Sequence, residues 1–200
     1  SRRVLAQFLD LHLKELVEEV APLAIFGKHK FGDTDQVFLQ PFIGNQNYDA
    51  KVIDKRNKPA FETYVEITHA HEGEGDYWRR CELLKRGYVF SYAPIIKTGT
   101  RKNRTVSIPP KATSVEERIN NELGRILDAA MRKKGKDYPT NTSLIIFFSG
   151  TPPFQEVIDN EKLDSFVNEK ILNLDLRFSE LYLVGEAKEI FREYPINRQD

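Results

Sequence analysis

The sequence has one cysteine, Cys81, one methionine and one tryptophan in 200 residues, and no apolar run long enough to span a bilayer. A lone cysteine excludes an internal disulfide framework and points to a reducing compartment. The missing apolar run excludes a transmembrane helix, which needs about 20 consecutive apolar residues. The first twenty residues show amphipathic helical spacing, not the charged stub, apolar core and small-residue cleavage site of a signal peptide. A cytoplasmic protein without membrane association is expected. Excess charge of either sign is missing too: 30 lysines and arginines balance 30 aspartates and glutamates. No global field draws the chain to nucleic acid, so any polyanionic partner has to be held by local patches.

Hydrophobic residues make up 40% and charged residues 30% of the chain, the proportions of a globular protein, and the length suits one domain over residues 1–200. The positive charge is uneven. Lys97, Arg101, Lys102, Arg104 and Lys111 surround one loop, and Arg132, Lys133, Lys134 and Lys136 follow a helix. Both groups are candidate patches for a polyanion; solvated loop charge and favourable charge at a helix C-terminus are the plainer explanation.

Leu5, Phe8, Leu9, Leu13, Leu16, Val17 and Val20 recur at helical spacing, predicting a first helix over 3–20 with Glu15, Glu18 and Glu19 on its polar face. A Gly-containing connection leads to a strand over 36–43, where Pro41 indicates an edge or a bulge. Two strands follow, Tyr48 to Asp54 and Phe61 to Thr68, joined as a hairpin. Asp76 is the expected N-cap of a helix ending at Arg86 and Gly87, with Tyr77, Trp78, Cys81 and Leu84 as its buried stripe. A strand over 88–97 precedes a long helix, whose start carries overlapping capping boxes at Thr113 and Ser114. The run Leu144 to Phe148 suits a strand buried on both faces. A helix over 154–172, a strand over 180–184 and a short terminal helix complete an α/β protein with a mixed central sheet flanked by helices.

The hairpin carries the chemistry. Symmetric closure pairs Asp54 with Phe61 and sets Asp49 opposite Glu66, with Cβ atoms roughly 5 Å apart. The same register gathers Ala50, Val52, Val65 and Ile67 on the other face, which a one-residue slip would scatter. Two facing carboxylates repel. A raised pKa, a nearby cation such as Lys51, or a divalent metal must offset that repulsion, and magnesium suits one or two carboxylates with water and phosphate filling the remaining positions.

An acid on one strand, a second acid near the expected lysine position on the next, and a preceding glutamate-bearing helix together resemble the PD-(D/E)xK nuclease superfamily, also called restriction-endonuclease-like. The order helix, strands, helix, strand is similar to that superfamily's core, over roughly residues 3 to 100. The resemblance implies a magnesium- or manganese-dependent endonuclease acting on DNA, with Asp49 and Glu66 as metal ligands and Glu15, Glu18 or Glu19 as a further acid; Glu19 is taken as that third ligand. Tyr48 replaces a frequent proline, and Thr68 stands where the motif lysine belongs. Lys51 or His69 would then assist the attacking water, help commonly worth about 100- to 10,000-fold in rate. A homodimer is compatible with this reading. The alternative is a non-catalytic nucleic-acid-binding or protein-interaction module in which the acids are a vestige or salt-bridge partners.

Other features have plainer explanations beside their chemical ones. His69 and His71 form a His-x-His segment of the kind zinc takes, giving a third reading as a zinc hydrolase, or an exposed strand end. Cys81, on the expected stripe, reads as a packed thiol. Ser149, Gly150 and Thr151 lack the lysine and glycine spacing of a phosphate loop. Arg79, Arg80, Lys85 and Arg86 either grip phosphates or keep a helix soluble.

Overall fold

Three successive strands that alternate apolar and polar residues form an antiparallel meander, and the wholly apolar run after them forms the sheet's buried centre. A computed structural model describes residues 16–42, 46–71, 73–90, 93–100, 103–148, 157–186 and 190–196. Among these the strands are β1 (Val37–Pro41), β2 (Ala50–Asp54), β3 (Phe61–Ala70), β4 (Ile96–Thr98), β5 (Thr105–Ser107), β6 (Thr142–Phe148), β7 (Glu180–Gly185) and β8 (Phe191–Pro195). The α-helices are α1 (Ala21–Phe31), α2 (Glu74–Arg86), α3 (Val115–Met131) and α4 (Val157–Phe166); π turns at Leu16–Val20 and Val167–Ile171 adjoin α1 and α4.

The main sheet has six strands in the order β1-β2-β3-β6-β7-β8, and β4 and β5 form a separate two-stranded ribbon. The first three strands and the β7–β8 pair run antiparallel, whereas β3–β6 and β6–β7 are parallel. Helix α3 forms the crossover between β3 and β6, as a parallel pair requires. All seven residues of β6 are buried. One face of the sheet packs Leu144, Ile146, Leu181 and Leu183 with Ile119, Leu123 and Ile126 of α3 and Leu163 of α4. The other packs Ala50, Val52, Val65, Ile67 and Ile145 with Leu23 and Phe26 of α1. Each fully buried leucine, isoleucine or phenylalanine contributes about 1.5–3 kcal/mol. No described helix is long and apolar enough to cross a membrane.

Several local expectations hold. Ser114 is the N-cap of α3, its Oγ accepting from the Glu117 N–H at 3.1 Å. Pro41 ends the edge strand β1, and Gly87 takes a left-handed conformation at the end of α2. The expected first helix lies outside the described residues up to residue 15.

Other expectations are corrected. Residues 21–31 form a helix, not a connection: Pro22 stands in its first turn, directly after the π turn, and Gly27 is there for contact. A Cβ on Gly27 would lie 2.1 Å from Leu39 Cδ1, so the absent side chain lets α1 approach β1. Helix α2 begins at Glu74, two residues before Asp76, and its expected stripe is not buried, since Tyr77 is 58% and Leu84 87% exposed. The strand expected over 88–97 is reduced to β4 and joins the ribbon, not the main sheet. The expected terminal helix is strand β8. Ile190 and Tyr194, four apart and both buried, fit a helical face as well as one side of a strand, and pairing with β7 decides between them.

Candidate functional site

Strand register positions the acids. β2 and β3 pair from Asp54↔Phe61 to Ala50↔Val65, the expected symmetric closure. One residue further the ladder bends: the Asp49 N–H donates to the Val65 carbonyl at 2.8 Å, so Asp49 and Ala50 both face Val65. This two-against-one arrangement is that of a β-bulge, which re-aims a side chain and often adjoins a functional site. The Asp49 carboxylate turns onto β3, where Oδ2 accepts from the Ile67 N–H at 2.6 Å.

Glu66, one residue before Ile67, is 8% exposed. Its Oε1 is ion-paired with Lys133 Nζ, from the turn that follows α3. Burial pushes the Glu66 carboxyl above the ordinary carboxylate range; the Lys133 bond opposes the shift, and the charge of Asp49 adds to it. Burial raises Asp49 likewise, against the Ile67 N–H and the charges of Lys133 and His69. The hydroxyl of Tyr138, from the same turn as Lys133, is buried without a partner of good hydrogen-bond geometry. Burial first, then the charges of Glu66 and Asp49, raises its pKa and keeps it protonated. The structure thus brings together two acids, one lysine and one phenol.

The other candidates are placed as follows. Lys51 pairs with Tyr64 in the ladder, but its ammonium binds Glu62 Oε2 at 2.7 Å, on the loop side of Tyr64 and away from Glu66. Thr68 is buried at 6% exposure. The His69 ring packs on Phe147 with centroids 5.3 Å apart, and its Nε2–H donates to the Glu18 carbonyl at 2.6 Å. Phe147 belongs to the α1-side cluster, so His69 serves the layer opposite α3, and burial lowers its pKa. The His71 ring lies 5.5 Å from that of His69, tilted by 40°, and accepts from the Gly73 N–H. Glu18 and Glu19 are half-buried in the π turn before α1, and Glu15 lies outside the described residues. Ser149, Gly150 and Thr151 do too. Among the described residues no three His, Cys, Asp or Glu side chains gather around a metal position; Asp49 and Glu66 stand as a pair.

Lys133 was legible in the sequence only as part of a basic run and Tyr138 not at all, yet a topological signal for them existed. A parallel crossover returns the chain beside the start of the strand it left, so the turn between α3 and β6 must pass the entry half of β3. The Tyr64 N–H donates to the Asn141 carbonyl at 3.2 Å, and Tyr64 pairs with Thr142. The basic run after α3 is therefore partly turned inward: Lys133 reaches Glu66, and Arg132 donates to the His69 carbonyl at 2.6 Å. Comparison of the chain with protein-family models, curated proteins and solved structures gives no match.

Proposed function

We propose that this chain is a metal-dependent nuclease with a restriction-endonuclease-like fold that hydrolyses DNA phosphodiester bonds. In this reading Asp49 and Glu66 hold one magnesium or manganese ion, and Lys133 fills the role left open by Thr68. The observation that carries it is the ion pair of Lys133 with Glu66: a lysine reaches the second acid from another element. The order of helix, three-strand meander, helix and parallel strand supports the reading, with α3 and β6 taking the places that the resemblance gives to the helix and strand of residues 76–97.

The donor set fits such an ion. Both acids offer hard oxygen ligands, are largely shielded from water and repel one another, and two carboxylates leave positions for water and phosphate. When bound, the ion supplies a water of lowered pKa and neutralises charge on the phosphate. The chain's own residues do the rest. Asp49 is held on the Ile67 amide, which fixes the direction of its other oxygen. Lys133, whose ammonium stands at Glu66, would hold an anionic oxygen beside the acids. The protonated Tyr138 hydroxyl has a hydrogen bond to give in the same place.

The same ion pair supports a second reading. Lys133 already offsets the charge on Glu66, as a binding module that has lost cleavage requires. Nicking of supercoiled plasmid in magnesium or manganese separates the two readings. The nuclease nicks as wild type and stops in Glu66→Gln and Lys133→Met; the binding module leaves the plasmid intact with either metal.

A further inference from the structure

The excursion between β3 and α3 is set apart by charge. In a chain of zero formal net charge, residues 71–114 hold nine lysines and arginines against four acids, Glu72, Glu74, Asp76 and Glu82. Within it, Glu74 in the first turn of α2 binds Lys97 of β4 at 2.8 Å and Arg104, just before β5, at 3.0 Å. One carboxylate therefore ties the ribbon to the helix while leaving positive charge in excess. All three side chains are at least 36% exposed, and exposed pairs of this kind are weak, within about 1 kcal/mol, so their cations exchange readily onto phosphate.

The same excursion carries exposed rings. Tyr77, on the face of α2 that carries Leu84, is 58% exposed; Tyr88 and Phe90, just past the helix end, are 56% and 43% exposed. The last two form an edge-to-face pair with centroids 6.0 Å apart. These rings do not serve the core, and the helix and ribbon of the same excursion carry Lys85, Arg86, Lys97 and Arg104, of which Arg86 is paired with Glu82 one turn away. Cations that follow a phosphate backbone beside rings that accept bases are the means by which unpaired strands are held.

We propose that α2 and the β4–β5 ribbon form a binding surface for single-stranded nucleic acid, with Lys85, Arg86, Lys97 and Arg104 on phosphates and Tyr77, Tyr88 and Phe90 under unpaired bases. It deepens the nuclease reading and rests on it for the consequence, delivery of a strand, though not for binding itself. The test is fluorescence anisotropy of a labelled single-stranded oligonucleotide in EDTA, with a duplex of equal length as comparison. Wild type should prefer the single strand. Tyr77→Ala with Tyr88→Ala should weaken binding about tenfold or more. Lys97→Ala with Arg104→Ala should reduce the slope of log affinity against log salt by about 1.4, and Glu74→Gln, which frees both cations, should tighten binding. Preference for duplex, or affinity unchanged by both double substitutions, overturns the proposal. So does a dimer dissolved by Leu84→Glu in a protein that binds no strand, because a second copy would then cover this face. Strand binding that responds as expected, in a protein that never nicks plasmid, overturns the nuclease reading alone.

Discussion

Lys133, two residues beyond the end of α3, is ion-paired with Glu66 of β3, 67 residues earlier, and both side chains are largely shielded from water. Removing one partner of such a pair strands the other charge. Lys133→Met should therefore destabilise the fold by up to about 3–5 kcal/mol, and Glu66→Gln in the same chain should recover part of that loss. Urea unfolding of the two single variants and the double variant gives the coupling, expected at about 0.5–3 kcal/mol. Additive single effects would show that the pair contributes nothing.

The same substitutions separate the two lysines. Lys51 is held by Glu62, so Lys51→Ala should leave cleavage within a few-fold of wild type. Lys133→Met should lower it by about 100- to 10,000-fold. Single-turnover nicking at saturating manganese reads both, and the opposite ranking would return the lysine role to the hairpin.

Proton linkage gives the acids a signature. Asp49 and Glu66 are raised by burial, so the native state binds protons more readily than the unfolded chain. Their contribution to stability is full below the ordinary carboxylate pKa and is lost as pH rises through the raised values. The urea midpoint of wild type should thus fall with rising pH in that window more steeply than that of Asp49→Asn, in which one raised group is gone and Glu66 loses the charge that helps raise it. Magnesium, stabilising the ionised acids, should flatten the wild-type slope.

His69 acts in the opposite sense. Burial lowers its pKa, so its contribution is present above the ordinary histidine pKa and is lost as pH falls through the lowered value. His69→Gln should remove a loss of stability on acidification that wild type shows below neutrality. An imidazole NMR titration of wild type should place the His69 midpoint below the ordinary histidine value; a midpoint at or above it would contradict its burial against Phe147 and the Glu18 carbonyl.

Helix α1 offers a packing test. Gly27→Ala sets a methyl against Leu39 Cδ1, and overpacking costs about 1–3 kcal/mol, at the low end here because that methyl ends a rotatable side chain. Thermal unfolding should show a lower midpoint for this variant; an unchanged or higher midpoint would mean that α1 has room at β1.

What the sequence made legible follows from range. The β2–β3 register was readable because Ala50, Val52, Val65 and Ile67 fall on one face only if Asp54 meets Phe61, and β6 because its run is apolar throughout. Helix α1 was hidden because Pro22 and Gly27 look like breakers, although one sits in the helix's first turn and the other makes room for Leu39. Strand β8 was hidden because the Ile190–Tyr194 spacing suits either structure until β7 supplies a partner. In the candidate site, the two acids were visible as neighbours across a hairpin. The bulge at Asp49 was not, because it depends on which backbone amide wins the Val65 carbonyl, and Lys133 was not, because a crossover of more than sixty residues separates it from Glu66.

The most direct measurement is calorimetric titration of manganese into wild type, Asp49→Asn, Glu66→Gln and Lys133→Met. One ion per chain should bind to wild type, binding should vanish in both acid variants, and it should persist or tighten in Lys133→Met, where the competing cation is gone. Manganese bound equally well without Glu66, or not bound at all, would contradict the assignment of these two carboxylates as a metal site.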